Sequence, residues 1–236
     1  MMPPIAILSG GPATRLYPVT QAIPKAMLEV AGKPFIAHQL SILKKNGINR
    51  IIICIGYLGE QIKAFVKDGR EFGLAVDYSS DTEKLRGTGG AVKKALDLLG
   101  EVFFLMYGDS YLNVDFESVS EYFFSQQKKG LMAVFKNNNQ WDKSNIVYKN
   151  GRIIKYDKKN ITDDMQYIDY GLSLLRKEVF LDKDYGEVFD LADVYRDLID
   201  SGQMLAYEVK ERFFEIGSLK GLEEARKYLQ EYLGEL

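Results

Sequence analysis

The chain has 236 residues, of which 46% are hydrophobic and 27% charged, and its formal net charge is −2. This balance is typical of a globular protein and excludes a disordered or fibrous chain. The small net charge excludes a broad field that would gather nucleic acid or an anionic membrane. No stretch reaches the roughly 18 apolar residues of a membrane span, and the first residues lack the basic and apolar regions of a leader. We therefore expect one soluble, cytoplasmic domain over residues 1–236.

The first part of the chain, about 1–130, alternates apolar strands with helices. Strands are predicted in "PIAILSGG", "INRIIICIGY", "LAVDYSS" and "EVFFLMYGDS", and helices in "KPFIAHQLSILKKNG", "LGEQIKAFVKDG" and "GGAVKKALDLL". This alternation indicates βαβ units and a mainly parallel sheet with helices on both sides. Ligands of such sheets bind beyond the carboxyl ends of the strands. Three of these four ends are rich in glycine or charge, which favours a binding edge.

The second part, about 131–236, departs from this alternation. The Asn150-Gly151 pair between two apolar runs predicts a β-hairpin. A further strand is predicted in "GLMAVFKN", a strand with a short helix in "MQYIDYGLSLLRKEVF", and one or two strands in "MLAYEVKERFFEIG". A helix is predicted in "LADVYRDLIDSG", and the last helix is amphipathic and capped by Ser218. No linker separates the two parts. We expect a single α/β domain with one mixed, mostly parallel sheet.

The loop after the first strand combines accessible backbone with cations. Gly10 and Gly11 let N–H groups approach an anion, and Thr14 adds a hydroxyl donor. Arg15 supplies a planar fork that suits phosphate oxygens, and Lys25 a compact charge. These features indicate a phosphate site, although "GGPATRL" matches neither the P-loop nor the dinucleotide-binding loop. A turn with two solvated cations is the alternative that the loop alone leaves open.

The longer stretch "LSGGPATRLYPVTQAIPKAMLEVAGKP", residues 8–34, resembles the signature of the sugar-1-phosphate nucleotidyltransferases. In that signature a glycine stands where this chain has Ala13, which narrows the backbone angles open to the loop. The resemblance implies a Rossmann-like, GT-A type fold. It also implies that a nucleoside triphosphate and a sugar 1-phosphate react to give a nucleotide sugar and pyrophosphate. The residues implied in nucleotide binding are Leu8, Ser9, Gly10, Gly11 and Thr14, and those in catalysis are Arg15 and Lys25.

Three later segments extend the resemblance over the nucleotide and metal sites. "RGTGGAVKKA" is similar to a second glycine loop of the family, which lies against the nucleotide. "YGDS" is similar to the family's N-G-D motif, with Tyr107 in place of asparagine, and implies that Asp109 binds the nucleotide and Mg²⁺. "FFEIGS" is similar to a W-x-D-I-G motif and implies Glu215 as the second Mg²⁺ ligand, with a longer side chain than aspartate. The glycine-loop residues implied in nucleotide binding are Gly87, Thr88 and Gly89.

The resemblance to the sugar-binding half of the family is carried by shorter motifs. "GRIIKYDKK" is similar to G-x-I-x-x-F-x-E-K-P, "YIDYGLSLL" to N-A/T-G-I-Y, and "SNIV" to a Tyr-Gly-Val-Val strand. In the first motif a carboxylate holds sugar hydroxyls and the lysine holds the sugar phosphate. A solvated hairpin is the alternative. The residues implied in sugar-phosphate binding are Asn145, Asp157, Lys158, Asp169 and Gly171.

The single histidine, His38, and the single cysteine, Cys54, lie in an apolar helix and an apolar strand, which favours structural roles. Their number argues against a zinc site or a cysteine nucleophile. Trp141 and Tyr148 are candidates for the sugar site or for the core. Arg86 is a candidate phosphate ligand or a solvated cation.

The choice of substrates stays open at this point. The resemblance favours small bacterial enzymes that use GTP with mannose- or heptose-type 1-phosphates and supply cell-surface polysaccharide, with UTP and a glucose- or muramic-type 1-phosphate as the alternative. A nucleotide-sugar-binding regulatory protein is the rival from another class. Ala13 and Glu215 favour it, and the intact Arg15, Lys25, Asp109 and Lys158 oppose it. A glycosyltransferase ranks last because "YGDSYLNVDF", at the fourth strand, contains only Asp109 and Asp115, six apart, and no Asp-x-Asp motif. The sequence also leaves open whether the chain forms a homo-oligomer.

Overall fold

One sheet of nine strands runs through residues 2–81 and 84–234, which the computed structural model describes. Two separate two-stranded sheets of short strands lie outside it. The strands are β1 (Ile5–Ser9), β2 (Glu29–Val30), β3 (Lys33–Pro34), β4 (Arg50–Ile55), β5 (Ala75–Ser80), β6 (Val102–Tyr107), β7 (Ser110–Tyr111), β8 (Gly130–Lys136), β9 (Ile146–Lys149), β10 (Arg152–Tyr156), β11 (Tyr167–Arg176), β12 (Met204–Val209) and β13 (Phe214–Glu215). The helices are α1 (Phe35–Lys45), α2 (Gly59–Val66), α3 (Gly87–Ala95), α4 (Phe116–Phe124), α5 (Leu191–Asp200) and α6 (Leu219–Gly234).

The first four long strands are parallel and lie in the order β5-β4-β1-β6. The chain passes from β1 to β4 and β5 on one side, then crosses back to β6 on the other side of β1. The strand order therefore reverses at β1, and a crevice for ligands forms outside the carboxyl ends at such a reversal. Leu8 of β1 is paired with Tyr107 of β6, so the loops that follow these two strands lie side by side.

The second half extends the same sheet. β11 is antiparallel to β6 and to β8, and β12 is parallel to β8. The β9–β10 hairpin lies beside the first residue of β11. Asn150 and Gly151 have φ angles of 52° and 77°, the left-handed values that a two-residue type I′ turn requires. The predicted hairpin and the mixed, mostly parallel α/β sheet are confirmed.

Successive residues of the buried strands point to opposite faces, which explains their continuous apolar runs. Ile51 and Ile53 belong to the core on one face, beneath α1, α2 and α4, whereas Ile52 and Cys54 belong to the core on the other face, beneath α3 and α5. A third cluster joins α6 to the loop after β1, with Leu222 and Leu16 among its members. Helix α6 thereby supports the edge of the sheet where the predicted site lies.

Helix α4 is an element that the sequence did not predict. Its N-cap is Asp115, whose carboxylate accepts hydrogen bonds from the backbone N–H groups of Glu117 and Ser118. An acidic N-cap of this kind is a recognisable start signal. Among the described residues, 2–81 and 84–234, no helix combines the length and apolar character needed to cross a membrane.

Candidate active site

Two adjoining cavities open at the carboxyl ends of β1 and β6. The first has a volume of about 320 Å³ and lies towards β4, α3 and Asp81. The second has a volume of about 740 Å³ and lies towards β9, β11 and Glu215. The residues that line both are Pro12, Lys25, Tyr107 and Asp109. A ligand in one cavity would therefore meet a ligand in the other beside Lys25 and Asp109.

The glycine-rich loop after β1 begins with a close backbone contact. Gly56 lies so near Gly10 that a Cβ atom on Gly56 would come within 2.6 Å of the Gly10 carbonyl oxygen. Gly11 faces open space, and it lines the first cavity. Ala13 has φ 50° and ψ 45°, so the loop keeps a left-handed backbone at the position where the family signature has glycine. Its carbonyl accepts a hydrogen bond from the Thr20 hydroxyl at 2.9 Å.

The floor of the crevice is a tight crossing of β1 and the loop after β6. The Gly108 N–H donates a hydrogen bond to the Leu8 carbonyl at 2.9 Å. A Cβ atom on Gly108 would lie 2.6 Å from that carbonyl oxygen and would also collide with the Ser9 hydroxyl. The Ser9 hydroxyl is buried and has no hydrogen-bond partner among the described residues. It lines the first cavity, where it could donate to a ligand.

Gly108→Ala is expected to lower the free energy of unfolding by about 3 kcal/mol, because the methyl group would push the two backbones apart. For a chain of this size, that corresponds to a fall in Tm on the order of 6–12 °C. Gly100→Ala is the matched control, since its Cβ would meet nothing nearer than the Val102 carbonyl at 3.9 Å. Thermal unfolding of both variants measures the difference, and equal Tm values would contradict the close crossing.

Lys25 and Asp109 form an ion pair at the meeting point of the cavities. The Lys25 Nζ atom lies 2.6 Å from Asp109 Oδ2, and the two side chains are 23% and 29% exposed. Burial acts to raise the pKa of Asp109, but the charge and hydrogen bond of Lys25 outweigh it, so the pKa is lowered. Asp109 is therefore ionised at neutral pH, and the pair places one cation and one anion between the cavities.

Glu215 is brought beside Asp109 by the pairing of β7 with β13, in which Ser110 is opposite Glu215. A Cβ atom on Gly217 would lie 2.7 Å from Glu215 Oε2, 3.3 Å from Asp109 Oδ2 and 3.7 Å from Lys25 Nζ. Both carboxylates thus surround one point. Glu215 also accepts hydrogen bonds from the Gly217 N–H and from the Ser218 hydroxyl, the latter at 2.7 Å. The local backbone therefore fixes the longer side chain of glutamate.

The N-terminus of α3 forms one wall of the first cavity. Gly87 and Thr88 line this wall, and the Thr88 hydroxyl accepts a hydrogen bond from the Leu191 N–H at 2.9 Å. Gly89 is buried behind the wall: its N–H donates to the Phe189 carbonyl at 3.0 Å, and a Cβ atom on it would collide with the Phe189 ring. Gly89 therefore serves the packing of α3 against the chain before α5 and does not face the cavity.

A group of charged side chains around the buried Asp81 lies at the far end of the first cavity. The Asp81 side chain is 7% exposed, and its Oδ1 atom lies 3.5 Å from Arg86 Nε and 3.6 Å from Lys94 Nζ. Arg86, left open between two roles by the sequence, is thus paired with buried Asp81 and also with Glu187. Sequence reasoning missed Asp81 because nothing in its local pattern distinguishes it from a solvated turn residue.

Lys158 and Asp169 meet on the wall of the second cavity. The Lys158 ammonium lies 3.0 Å from the Tyr107 hydroxyl and 3.7 Å from Asp169 Oδ2. Asp169 is nearly buried, and the Tyr107 and Tyr156 hydroxyls donate to the same oxygen of it at 3.4 and 3.3 Å. Burial and the charge of Asp169 raise the pKa of Tyr107 well above its ordinary value, so its hydroxyl stays protonated.

Two other residues implied in sugar binding have different surroundings. The Asp157 carboxylate accepts hydrogen bonds from the N–H groups of Lys159 and Asn160, which lower its pKa to about 2. It closes a turn and does not line the second cavity. Gly171, with φ +87°, lies behind Tyr107 and Ser110. Asn145 does line the cavity, and its Oδ1 atom accepts from the Asp169 N–H at 3.0 Å.

The two side chains predicted to have structural roles are buried, and the two aromatic residues left open by the sequence are stacked on neighbours. The His38 Nε2 atom is hydrogen-bonded to the Val30 carbonyl at 2.7 Å, and burial lowers the pKa of the ring. Burial raises the pKa of the Cys54 thiol to about 12, so the thiol is protonated at neutral pH although it lines the first cavity. Trp141 stacks on the Arg212 guanidinium at 3.4 Å, and Tyr148 packs on Tyr167.

The structure therefore brings most of the predicted site residues together at the two cavities. Those lining the first cavity are Leu8, Ser9, Gly10, Gly11, Lys25, Gly87, Thr88 and Asp109. Those lining the second are Thr14, Arg15, Lys25, Asp109, Asn145, Lys158, Asp169 and Glu215. Those outside both linings are Gly89, Asp157 and Gly171. The second cavity is also lined by Asp142 and Lys143, which sequence reasoning missed because they lie in an irregular loop.

A family model described as nucleotidyl transferase matches residues 5–231, almost the whole chain. The chain belongs to the nucleotidyl transferase family. The resemblance seen in the sequence is thereby confirmed, as is the expectation of an enzyme of the nucleotidyltransferase class. The match runs continuously through both cavities and through the sheet that connects them.

Relatives of this nucleotidyltransferase include proteins named for different substrates. It is 30% identical over 214 residues to the D-glycero-alpha-D-manno-heptose 1-phosphate guanylyltransferase of Campylobacter jejuni, covering 89% of this chain and 93% of that protein. It is 26% identical over 216 residues to the UTP–glucose-1-phosphate uridylyltransferase of Synechocystis, covering 83% of this chain and 55% of that protein.

The nucleotidyltransferase also matches solved structures over nearly its full length. A Bacillus anthracis protein with the provisional name glucose-1-phosphate thymidylyltransferase, crystallised with sucrose, superposes with a TM-score of 0.87 at 23% identity. The superposition covers 98% of this chain and 96% of that one. The predicted fold class is confirmed by this likeness.

Proposed function

We propose that the protein transfers a nucleotidyl group from GTP to a manno-heptose- or mannose-type sugar 1-phosphate and releases pyrophosphate. The observation that carries the proposal is the pair of cavities that meet at Lys25 and Asp109. Such a site holds two substrates side by side, with their reacting groups at the shared wall. The choice of substrates is supported by the guanylyltransferase relative, which is 30% identical over most of both chains.

In the proposed reaction, an oxygen of the sugar phosphate attacks the α-phosphorus of the nucleotide in line with the departing pyrophosphate. One P–O bond forms and one breaks, and the electron pair leaves with pyrophosphate. The attacking oxygen is already largely ionised at neutral pH, so no protein base is required. Catalysis then depends on positioning and on neutralising negative charge.

The cations of the site supply that neutralisation. Lys25 is proposed to contact phosphate oxygens at the reacting phosphorus, because it lies where both cavities meet. Arg15 is proposed to bind the departing pyrophosphate: it lines the second cavity, and no carboxylate of residues 2–81 or 84–234 lies within ion-pair distance. Lys158 is proposed to bind the phosphate of the incoming sugar.

The carboxylates of Asp109 and Glu215 fit a magnesium site. Both lie beside Gly217, with Glu215 Oε2 2.7 Å and Asp109 Oδ2 3.3 Å from the position of a Cβ atom on it, and the Lys25 ammonium is 3.7 Å from the same position. Mg²⁺ is commonly bound by one or two carboxylates, with the remaining ligands supplied by phosphates and water. When bound, Mg²⁺ would offset the charge of the nucleotide phosphates.

A pyrophosphate-release assay that crosses the four common nucleoside triphosphates with a set of sugar 1-phosphates tests the proposal. The expected result is the highest kcat/KM with GTP and a manno-heptose or mannose 1-phosphate. The uridylyltransferase relative favours a second candidate, UTP with a glucose-type 1-phosphate. A preference for that pair would overturn the proposed substrates but keep the reaction, whereas no release with any pair would overturn both.

Ala13→Gly separates the enzyme from a regulatory relative with reduced catalysis. Because Ala13 already has a left-handed backbone, glycine should leave turnover within about threefold of wild type. For the free energy of unfolding, the substitution removes the strain of an L-residue with a left-handed backbone, about 1–2 kcal/mol. The greater flexibility of glycine in the unfolded chain partly offsets this gain. Steady-state kinetics measures the turnover, and a gain of 100-fold or more, on the order expected for a restored catalytic contact, would favour the regulatory protein.

A further inference from the structure

Tyr107 replaces the asparagine of the family signature and lies on the wall shared by the two cavities. Its hydroxyl accepts a hydrogen bond from the Lys158 ammonium at 3.0 Å and donates one to Asp169 at 3.4 Å. The same ammonium lies 4.8 Å from the centre of the Tyr107 ring, within the range of a cation–π contact. One side chain thus holds Lys158 through both its hydroxyl and its ring.

Asp169 accepts three hydrogen bonds within this network. Its Oδ1 atom accepts from the Gly171 N–H at 2.9 Å, while Oδ2 accepts from Tyr107 and Tyr156 and faces Lys158 at 3.7 Å. Its side chain is 4% exposed. A carboxylate so surrounded is a counter-ion for Lys158 and has little capacity left for a sugar hydroxyl.

The backbone of β11 leaves space for the Tyr107 ring. The pairing of β11 with β8 is irregular between Asp169 and Ser173. Gly171 lies in this interval with φ +87°, and a Cβ atom on it would come within 3.3 Å of Tyr107 Cδ2. A larger residue would therefore press on the ring. The position of Tyr107 is part of the fold and does not depend on Lys158 alone.

We propose that Tyr107 is a positioning residue for the sugar 1-phosphate, which holds the Lys158 ammonium at the wall of the second cavity with Asp169 as the counter-ion. This inference rests on the proposed function. Tyr107 then determines the KM for the sugar 1-phosphate through Lys158. The nucleotide, held by the loop after β1 and the N-terminus of α3, is bound independently of the Tyr107 hydroxyl.

Tyr107→Phe keeps the ring and removes the hydroxyl. It should raise the KM for mannose 1-phosphate about tenfold, the effect of losing one hydrogen bond to a charged group, and change the KM for GTP less than about twofold. Tyr156→Phe is the matched control, because its hydroxyl contacts Asp169 but makes no hydrogen bond to Lys158. It should raise the KM for mannose 1-phosphate less than about threefold. An unchanged KM in Tyr107→Phe, or equal effects of the two variants, would overturn the proposal.

A second variant pair shows whether Tyr107 acts through Lys158. In a Lys158→Ala background, Tyr107→Phe should raise the KM for mannose 1-phosphate by less than about twofold, because the ammonium group that Tyr107 positions is absent. A tenfold rise in this KM in the same background would mean that Tyr107 contacts the substrate directly. If the wild-type protein releases no pyrophosphate with any substrate pair, the proposed function fails, and crystal structures of both phenylalanine variants decide this proposal. Displacement of the Lys158 ammonium in Tyr107→Phe alone supports it, and an unmoved ammonium overturns it.

Discussion

Lys25→Ala is expected to lower kcat for nucleotidyl transfer by about 100- to 1,000-fold, the effect of removing one group aimed at transition-state charge, about 3–4 kcal/mol. The reason is its location: Lys25 lines both cavities and is the cation at their meeting point. Pyrophosphate release at saturating GTP and sugar 1-phosphate measures this loss. The acid limb of the remaining activity should move to higher pH, because burial raises the pKa of Asp109 once the opposing charge is gone.

Lys33→Ala is the matched control, since Lys33 is exposed and lies on the short β3 strand outside both cavities. It should retain kcat within about twofold of wild type, as expected for a surface substitution. Near-wild-type turnover of Lys25→Ala with a good substrate pair would mean that the meeting point of the cavities is not the reaction centre.

Asp109→Asn is expected to lower kcat by about 100-fold and to raise the Mg²⁺ concentration needed for half-maximal rate by at least about tenfold. Asparagine has nearly the same shape but removes the charge that would bind the metal. Wild-type Asp109 is a ready ligand because Lys25 lowers its pKa against the effect of burial. The ion pair of Lys25 with Asp109 contributes to the free energy of unfolding at neutral pH. This contribution is lost as the pH falls through the lowered pKa of Asp109.

Asp115→Asn tests the specificity of that effect. Asp115 caps α4 with its carboxylate, and asparagine is an equally good N-cap, so stability and Mg²⁺ dependence should both stay unchanged. A titration of rate against Mg²⁺ for the two variants separates the roles of Asp109. Loss of kcat in Asp109→Asn with an unchanged Mg²⁺ dependence would leave Asp109 only the role of holding Lys25.

The parallel half of the fold was predictable because its signals are local. Continuous apolar runs such as 51–55 mark strands buried on both faces, and the helices between them require a parallel sheet. The candidate phosphate ligands of the loop after β1 could be identified for the same reason, because Gly11, Arg15 and Lys25 lie within one short segment. The hairpin was predictable because Asn150 and Gly151, which form its turn, are residue types that tolerate positive φ.

The contacts that organise the second cavity were not predictable, because their members come from distant elements. Tyr107 ends β6, Lys158 follows β10 and Asp169 lies in β11, so only the folded sheet brings the three together. Gly89 shows a second effect of long-range packing. Its motif implies a ligand contact, whereas the ring of Phe189, a hundred positions later, occupies the space that a side chain would need. Sequence spacing does not report such long-range packing.

The central claim is that the two cavities hold a nucleoside triphosphate and a sugar 1-phosphate side by side, and that the nucleotidyl group with its α-phosphorus is transferred to the sugar phosphate. Parallel reactions with GTP labelled at the α- or the γ-phosphorus, each with a manno-heptose or mannose 1-phosphate, test it directly. The α-label should appear in the nucleotide sugar and the γ-label in pyrophosphate, at equal rates. Release of the α-label as GMP or GDP, or no transfer with any sugar 1-phosphate or nucleotide, would contradict the claim.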